Sequence, residues 1–128
     1  MMTPTTRPAK ALIVEDDPLS QLILKLLLER RGARVELANS GERVLELGAS
    51  VCEFDLVFMD VCMDGIDGFE TTRRLLRLPG CAETPVIGMS AKVFAEDRRR
   101  ALASGMQTLL AKPVEPDQVE RVLRDFAP

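Results

Sequence analysis

A doubly wound α/β domain on a five-stranded parallel sheet is the fold class this sequence predicts, and three observations carry that prediction. Five short apolar runs recur along the chain, at residues 11–14, 35–38, 56–59, 86–89 and 109–111, and nearly continuous runs of this length suit strands buried on both faces. Segments with helical spacing lie between them. Strand and helix alternate strictly with short connections, which implies right-handed crossovers and helices on both sides of the sheet.

In the first helical segment Leu19, Leu22, Ile23, Leu26 and Leu27 follow the i, i+3, i+4, i+7, i+8 pattern and predict its apolar face. Asp17 is placed to cap it, Pro18 takes the first helical position and Gly32 lies just past its end. A second helix is expected over residues 40–47, with Asn39 or Ser40 as cap and Val44, Leu45 and Leu47 as its apolar side. The third spans residues 68–76 and is stopped by Pro79 and Gly80. The fourth, over residues 95–104, ends at Gly105, and the fifth starts at Glu115-Pro116 with Val119, Val122, Leu123 and Phe126 on one face.

A chain of 128 residues with 46% hydrophobic and 29% charged residues fits one domain. Residues 1–9 read as a disordered N-terminal extension and residues 10–127 as the folded unit. The sequence contains no histidine, tryptophan or tyrosine. Without histidine it cannot run a Ser-His-Asp or Cys-His relay or build histidine-ligated zinc and haem sites. Cys52, Cys62 and Cys81 lack Cys-x-x-Cys spacing, and an odd, unpatterned set is expected to be reduced thiols in the cytoplasm. No apolar run approaches the roughly 18 residues of a membrane span, so no membrane insertion is expected. A net charge of -3 argues against direct nucleic-acid binding.

In parallel sheets of this kind ligands bind outside the carboxyl ends of the strands. Glu15, Asp16 and Asp17 follow the first run, Asp60 the third, Ser90 the fourth and Lys112 the fifth. Taken singly, each has a plain structural explanation: Asp17 as a helix cap, Asp60 as a turn residue, Ser90 as a loop hydroxyl, Lys112 as a rim charge. Their joint occurrence at four strand ends points further. Carboxylates gathered from separate strands repel one another unless a hard cation sits among them, and Mg²⁺ takes oxygen ligands. Lysine and serine opposite such an ion can hold the oxygens of a phosphoryl group while a carboxylate attacks phosphorus.

With these residues the chain resembles the receiver domain of bacterial two-component response regulators, the CheY-like (flavodoxin-like) fold. The motifs are Leu12-Ile13-Val14-Glu15-Asp16-Asp17-Pro18, then Asp60-Val61-Cys62-Met63-Asp64-Gly65-Ile66-Asp67-Gly68, then Met89-Ser90-Ala91, and Ala111-Lys112-Pro113-Val114. They are spaced by 44 positions from Asp16 to Asp60, 30 from Asp60 to Ser90 and 22 from Ser90 to Lys112. The resemblance implies a (βα)5 fold with strand order 2-1-3-4-5 and Asp60 as phosphoacceptor. It implies that Asp16, the Asp60 carboxylate and the Cys62 carbonyl ligate Mg²⁺, with Glu15 acting through a bound water. Ser90 and Lys112 would contact the phosphoryl group, Lys112-Pro113 would be cis, and Ser90 would act as the switch that rearranges the surface of the fourth helix, fifth strand and fifth helix.

Two positions depart from that family. Leu109 stands where the switch aromatic is expected, so aromatic rotation cannot report the state of Ser90. Asp64 stands where proline is frequent, and its pairing with Gly65 reads as a turn. Arg98, Arg99 and Arg100 read as a solvated face, Cys62 as a small loop filler, and Met63 and Met106 as packing.

The expected partners are a histidine kinase or histidine phosphotransfer protein and a downstream protein target, with the chain itself a monomer or weak dimer. It is expected to catalyse only its own phosphorylation and dephosphorylation, and so not to be an enzyme in the ordinary sense. A small Mg²⁺-dependent aspartyl-phosphate phosphatase is the competing reading, but the second acid such enzymes need two residues after the nucleophile is here Cys62. A pseudo-receiver acting only as an interaction module is a third. No effector domain is expected within the chain, which fits a stand-alone regulator or a receiver from a hybrid sensor kinase. If the phosphoryl donor is phosphohistidine, a chain without histidine needs that donor on another protein or domain.

Overall fold

The computed structural model describes residues 7–128. β1 (Lys10–Val14), α1 (Pro18–Glu29), β2 (Arg34–Ala38), α2 (Gly41–Leu47), β3 (Leu56–Asp60), α3 (Gly68–Leu76), β4 (Val86–Ser90), α4 (Ala95–Ser104), β5 (Thr108–Ala111) and α5 (Pro116–Phe126) follow in sequence. A 3-10 turn, Gly48–Glu53, intervenes between α2 and β3. All strand pairs are parallel and the sheet order is β2-β1-β3-β4-β5, as expected.

Alternation of side chains along the central strands builds two cores, one on each face. Leu12, Val14, Val57 and Met59 meet Val44 of α2 and Phe69 and Leu75 of α3 on one face. Ala11, Ile13, Phe58, Ile87 and Met89 meet Leu24 and Leu28 of α1 and Val119 and Val122 of α5 on the other. β3 and β4 are buried throughout. β2, expected to be buried on both faces, is largely exposed, because it forms the sheet edge and only its end, Ala38, lies under neighbouring structure. β5, the opposite edge, is also partly open.

The caps hold the helices where the sequence places them. Asp17 accepts from the Ser20 amide at 2.9 Å with Pro18 at the first position, Ser40 accepts from the Arg43 amide at 3.1 Å, and Asp67 accepts from the Glu70 amide at 2.8 Å. The predicted apolar face of α1 is corrected. Leu24 and Leu28 face the core, whereas Leu19, Leu22, Ile23 and Leu26 are exposed by 64, 51, 42 and 50% and Leu27 is half-buried. The reason is composition: leucine and isoleucine surround α1, so more than one stripe fits the helical period, and packing against β1 and α5 selects the other.

Cys52 and Cys81, expected as reduced thiols, are joined in a disulfide with their Cα atoms 4.9 Å apart, while Cys62 is free and exposed. Of the expected disordered extension, residues 1–6 lie outside the described residues. Arg7 donates to both Asp55 oxygens at 2.8 and 2.6 Å, and the Ala9 carbonyl accepts from the Arg34 amide at 2.7 Å. Met63 and Met106 are buried in the first core. Among the arginines read as a solvated face, Arg98 donates to the Leu109 carbonyl at 3.4 Å, Arg99 pairs with Glu96, and Arg100 lies 4.4 Å from the Phe69 ring centre.

Candidate phosphoacceptor site

Parallel strands bring their carboxyl ends to one edge of the sheet, and Glu15, Asp16, Asp60, Ser90 and Lys112 all stand there. Carboxylate oxygens of Glu15, Asp16 and Asp60 lie within 4.8 Å of one another. Glu15 and Asp60 are buried and Asp16 is exposed, so the cluster opens to solvent on the Asp16 side. Among the described residues Lys112 is the cation that faces two of these acids: its Nζ stands 2.8 Å from Glu15 Oε1 and 3.3 Å from Asp60 Oδ2.

The backbone fixes these side chains. Asp60 closes β3, and its Oδ1 accepts the Cys62 amide at 3.1 Å, which sets the carboxylate's rotation. Glu15 Oε2 accepts the Asp17 amide at 3.3 Å, and Asp16 Oδ2 accepts the Asp64 amide at 3.4 Å. The Ser90 hydroxyl accepts from the Lys92 amide at 3.2 Å, and the Ser90 carbonyl accepts the Lys112 amide at 2.8 Å, so β4 and β5 deliver their residues together. The Lys112-Pro113 bond is cis. Gly65 has φ +80°, in line with the turn reading of Asp64.

Electrostatics follow from this crowding. Burial is the largest cause raising the Glu15 carboxyl above the usual range; the neighbouring Asp60 carboxyl adds to that, and the bond from Lys112 opposes it. Burial pulls the Lys112 ammonium down, but the bond to Glu15 and the charge of Asp60 outweigh it, and the net direction is up. Three carboxylates against one ammonium leave excess negative charge in a partly closed site. The donor set is all hard oxygen, so these residues fit a divalent ion such as Mg²⁺.

Two aspects of the site lie beyond the sequence, the reason for the glycine at position 68 and a groove beside α1. A Cβ on Gly68 would lie 2.3 Å from the Asp60 carbonyl oxygen and 2.6 Å from Val61 Cα, so glycine there lets the start of α3 rest on the strand that carries Asp60. A groove of about 270 Å³ runs between α1 and the β5–α5 loop, lined by Ile23, Leu24, Leu27, Pro113, Glu15 and Lys112 among others. It joins the exposed stripe of α1 to the acidic cluster. The signal for it was the excess of leucine on α1 beyond what one buried face requires.

Comparison with known proteins agrees with this geometry. The model of the response regulator receiver domain matches residues 11–124. The chain is 34% identical over 115 residues to the signal transduction histidine-protein kinase BarA of Escherichia coli K12, covering 90% of this chain and 12% of the kinase. It thus spans about an eighth of that relative's length. An uncharacterized 14.6 kDa protein of Leptolyngbya boryana is 36% identical over 115 residues, with 90% of this chain and 87% of that protein covered. The solved receiver domain of the sensor histidine kinase PA1611 from Pseudomonas aeruginosa PAO1, with a magnesium ion coordinated in its active site cleft, aligns at TM-score 0.82 and 28% identity. That alignment covers 93% of this chain and 97% of the other.

The fold and the strand-end cluster thus define a receiver of two-component signalling. The chain belongs to the response regulator receiver domain family.

Proposed function

We propose that this receiver accepts a phosphoryl group on Asp60 from a phosphohistidine carried by a histidine kinase or phosphotransfer protein, and that the modification changes which protein it binds. The observation that carries the reading is the convergence of Glu15, Asp16 and Asp60 within 4.8 Å opposite a single ammonium, Lys112. Asp60 is the acceptor because it is buried at the end of β3, the middle strand of the sheet, with one oxygen tied to the Cys62 amide and the other facing Lys112. An Asp60 oxygen forms a bond to phosphorus as the N–P bond of phosphohistidine breaks, and the imidazole nitrogen leaves with its electron pair. Glu15, Asp16, Asp60 and the Cys62 carbonyl would hold Mg²⁺, which when bound offsets the repulsion between the carboxylates and an anionic phosphoryl group.

Lys112 then pairs with the phosphoryl oxygens and Ser90 binds another of them. Drawing Ser90 inward shifts the α4–β5–α5 surface toward its partner-binding arrangement. Leu109 takes part by packing, since its side chain is buried in the first core. The chain acts on its own phosphorylation and dephosphorylation and turns over no separate substrate.

The donor protein docks along α1. Leu19, Leu22, Ile23 and Leu26 form an exposed apolar stripe, and such a surface beside a reacting group is an interaction site. The groove that continues it reaches Glu15 and Lys112, so an apolar helix seated there brings its histidine to Asp60. The described residues include no helix long and apolar enough to cross a membrane, and action in the cytoplasm, where kinases consume ATP, suits this role.

Beryllofluoride with Mg²⁺ mimics the phosphorylated state. With Mg²⁺ present throughout, addition of beryllofluoride should shift the amide resonances of position 60, Ser90 and Lys112 in the wild type and leave them in place in Asp60→Asn. Equal responses in the two proteins would overturn the acceptor assignment.

A further inference from the structure

Cys52 and Cys81 lie at the end of the sheet away from Asp60. Cys52 belongs to the 3-10 turn that leads into β3, and Cys81 to the loop that leads into β4. Their Cα separation of 4.9 Å lies within the span a disulfide bridges. The position of Cys81 is set by backbone: Gly80 takes φ +81° and the Cys81 amide donates to the Leu78 carbonyl at 3.0 Å. Cys81 is buried, while Cys52 is half-buried and thus within reach of solvent. Phe54 and Leu78 pack into the same apolar cluster. Cys62 lies past the opposite end of β3, about 16 Å of strand away, so it cannot compete for either sulfur in the folded chain.

In a reducing compartment a bonded pair of cysteines is a conditional state rather than a permanent staple. We propose that Cys52 and Cys81 are a reversible modification site that exchanges with a low-molecular-weight disulfide. The Cys52 thiolate attacks one sulfur of the small disulfide, a mixed disulfide forms, and one small thiolate leaves and takes up a proton. The Cys81 thiolate then attacks the Cys52 sulfur, the Cys52–Cys81 bond forms and the second small thiolate leaves. Two protein thiols have lost two electrons and the small disulfide has become two thiols. Excess small thiol runs the sequence backward.

The bond ties together two segments 29 residues apart in sequence, bracketing β3 and α3. The oxidised chain therefore resists unfolding better, by restricting its unfolded state. The phosphoacceptor chemistry sits at the other end of β3 and does not enter this exchange. This inference rests on the receiver reading only for the compartment.

The full chain is equilibrated in mixtures of oxidised and reduced glutathione, quenched in acid, alkylated while unfolded and weighed intact. Oxidising mixtures should leave one alkylated thiol, Cys62, and reducing mixtures three, with a single two-thiol step and a peptide linking Cys52 to Cys81. The melting temperature should fall by about 10 °C on reduction, and Cys52→Ser, or Cys52→Ala if the serine protein fails to fold, should melt at one temperature in both buffers. Three alkylated thiols at every ratio, a linkage through Cys62, a bond that native protein never releases to excess thiol, or an unchanged melting temperature would each overturn the proposal. None of these readouts involves phosphoryl uptake, so a failure here is distinct from a failure of the Asp60 assignment.

Discussion

The ammonium of Lys112 is bonded to Glu15 Oε1 at 2.8 Å, which joins the loop after β5 to the loop after β1 across the mouth of the acidic cluster. Asp60 is the more distant of the two acids that Lys112 faces, at 3.3 Å. In the unmodified protein the lysine therefore serves chiefly as a counterion for a buried glutamate. A phosphoryl group on Asp60 would compete for it with more charge.

Replacing Lys112 by alanine removes that competition together with the cation. The three carboxylates then face one another alone, so Mg²⁺ should bind at least as tightly to Lys112→Ala as to the wild type. Beryllofluoride should bind about 10- to 100-fold more weakly, the worth of a hydrogen bond to a charged group. Calorimetric titration of both ligands checks the two directions at once, and unchanged beryllofluoride affinity would contradict the pairing role.

Asp16 contributes an exposed carboxylate that nothing in the core requires. Asp16→Asn should weaken Mg²⁺ binding at least tenfold while leaving the metal-free fold no less stable, because one of three mutually repelling carboxylates is removed. Urea melts and Mg²⁺ titrations of the same preparation separate these effects.

On α1 the same residue type should behave in opposite ways according to its face. Leu28→Ala opens a hole in the second core and should cost about 2–5 kcal/mol. Leu22→Asp, on the exposed stripe, should leave stability nearly unchanged and slow phosphoryl transfer from a phosphohistidine-bearing protein more than tenfold. Modification by acetyl phosphate, which needs no docking surface, should proceed at the wild-type rate in Leu22→Asp.

Gly68→Ala places a methyl group against the Asp60 carbonyl and Val61 Cα, and both contacts are backbone that cannot swing away. The variant should lose about 1–3 kcal/mol and modify more slowly, because the strand end bearing Asp60 must move.

Acid titration should reveal the tie between Arg7 and Asp55. The hydrogen bond from Arg7 is the largest cause holding the Asp55 carboxyl below its usual range; burial opposes it, and the Lys10 amide and the charge of Arg7 assist. A carboxyl depressed in the folded state stabilises the fold above its unfolded pKa and loses that contribution as pH falls through the folded value. Below about pH 4 the wild type should therefore lose stability more steeply than Asp55→Asn, and the two curves should run parallel near neutrality.

Much of this was legible in the sequence because apolar runs and acidic stops alternate so cleanly. Glu15, Asp60, Ser90 and Lys112 each end or follow a run, so parallel pairing alone brings them to one edge. What stayed hidden depended on relations between elements. β2 is the exception: it reads as an apolar run like β1, although Glu36 interrupts it, and that charge is the local sign that the strand lies at the edge. α1 is apolar nearly all round, and only its packing on β1 and α5 decides that Leu28 is covered and Leu22 is not. Cys52 and Cys81 meet because the 3-10 turn and the α3–β4 loop converge beneath the sheet, a contact that residues 29 apart do not announce. Gly68 was visible as part of a motif, but its reason, the carbonyl of Asp60 pressed against it, exists only in three dimensions.

The central claim is that Asp60 receives the phosphoryl group. The most direct measurement is intact and peptide mass analysis after incubation with acetyl phosphate and Mg²⁺. The wild type should carry one base-labile phosphoryl group on the peptide containing Asp60, and Asp60→Asn none. A phosphoryl group on the variant in the same yield, or one located on Asp16, Asp64 or Ser90 in the wild type, would contradict it.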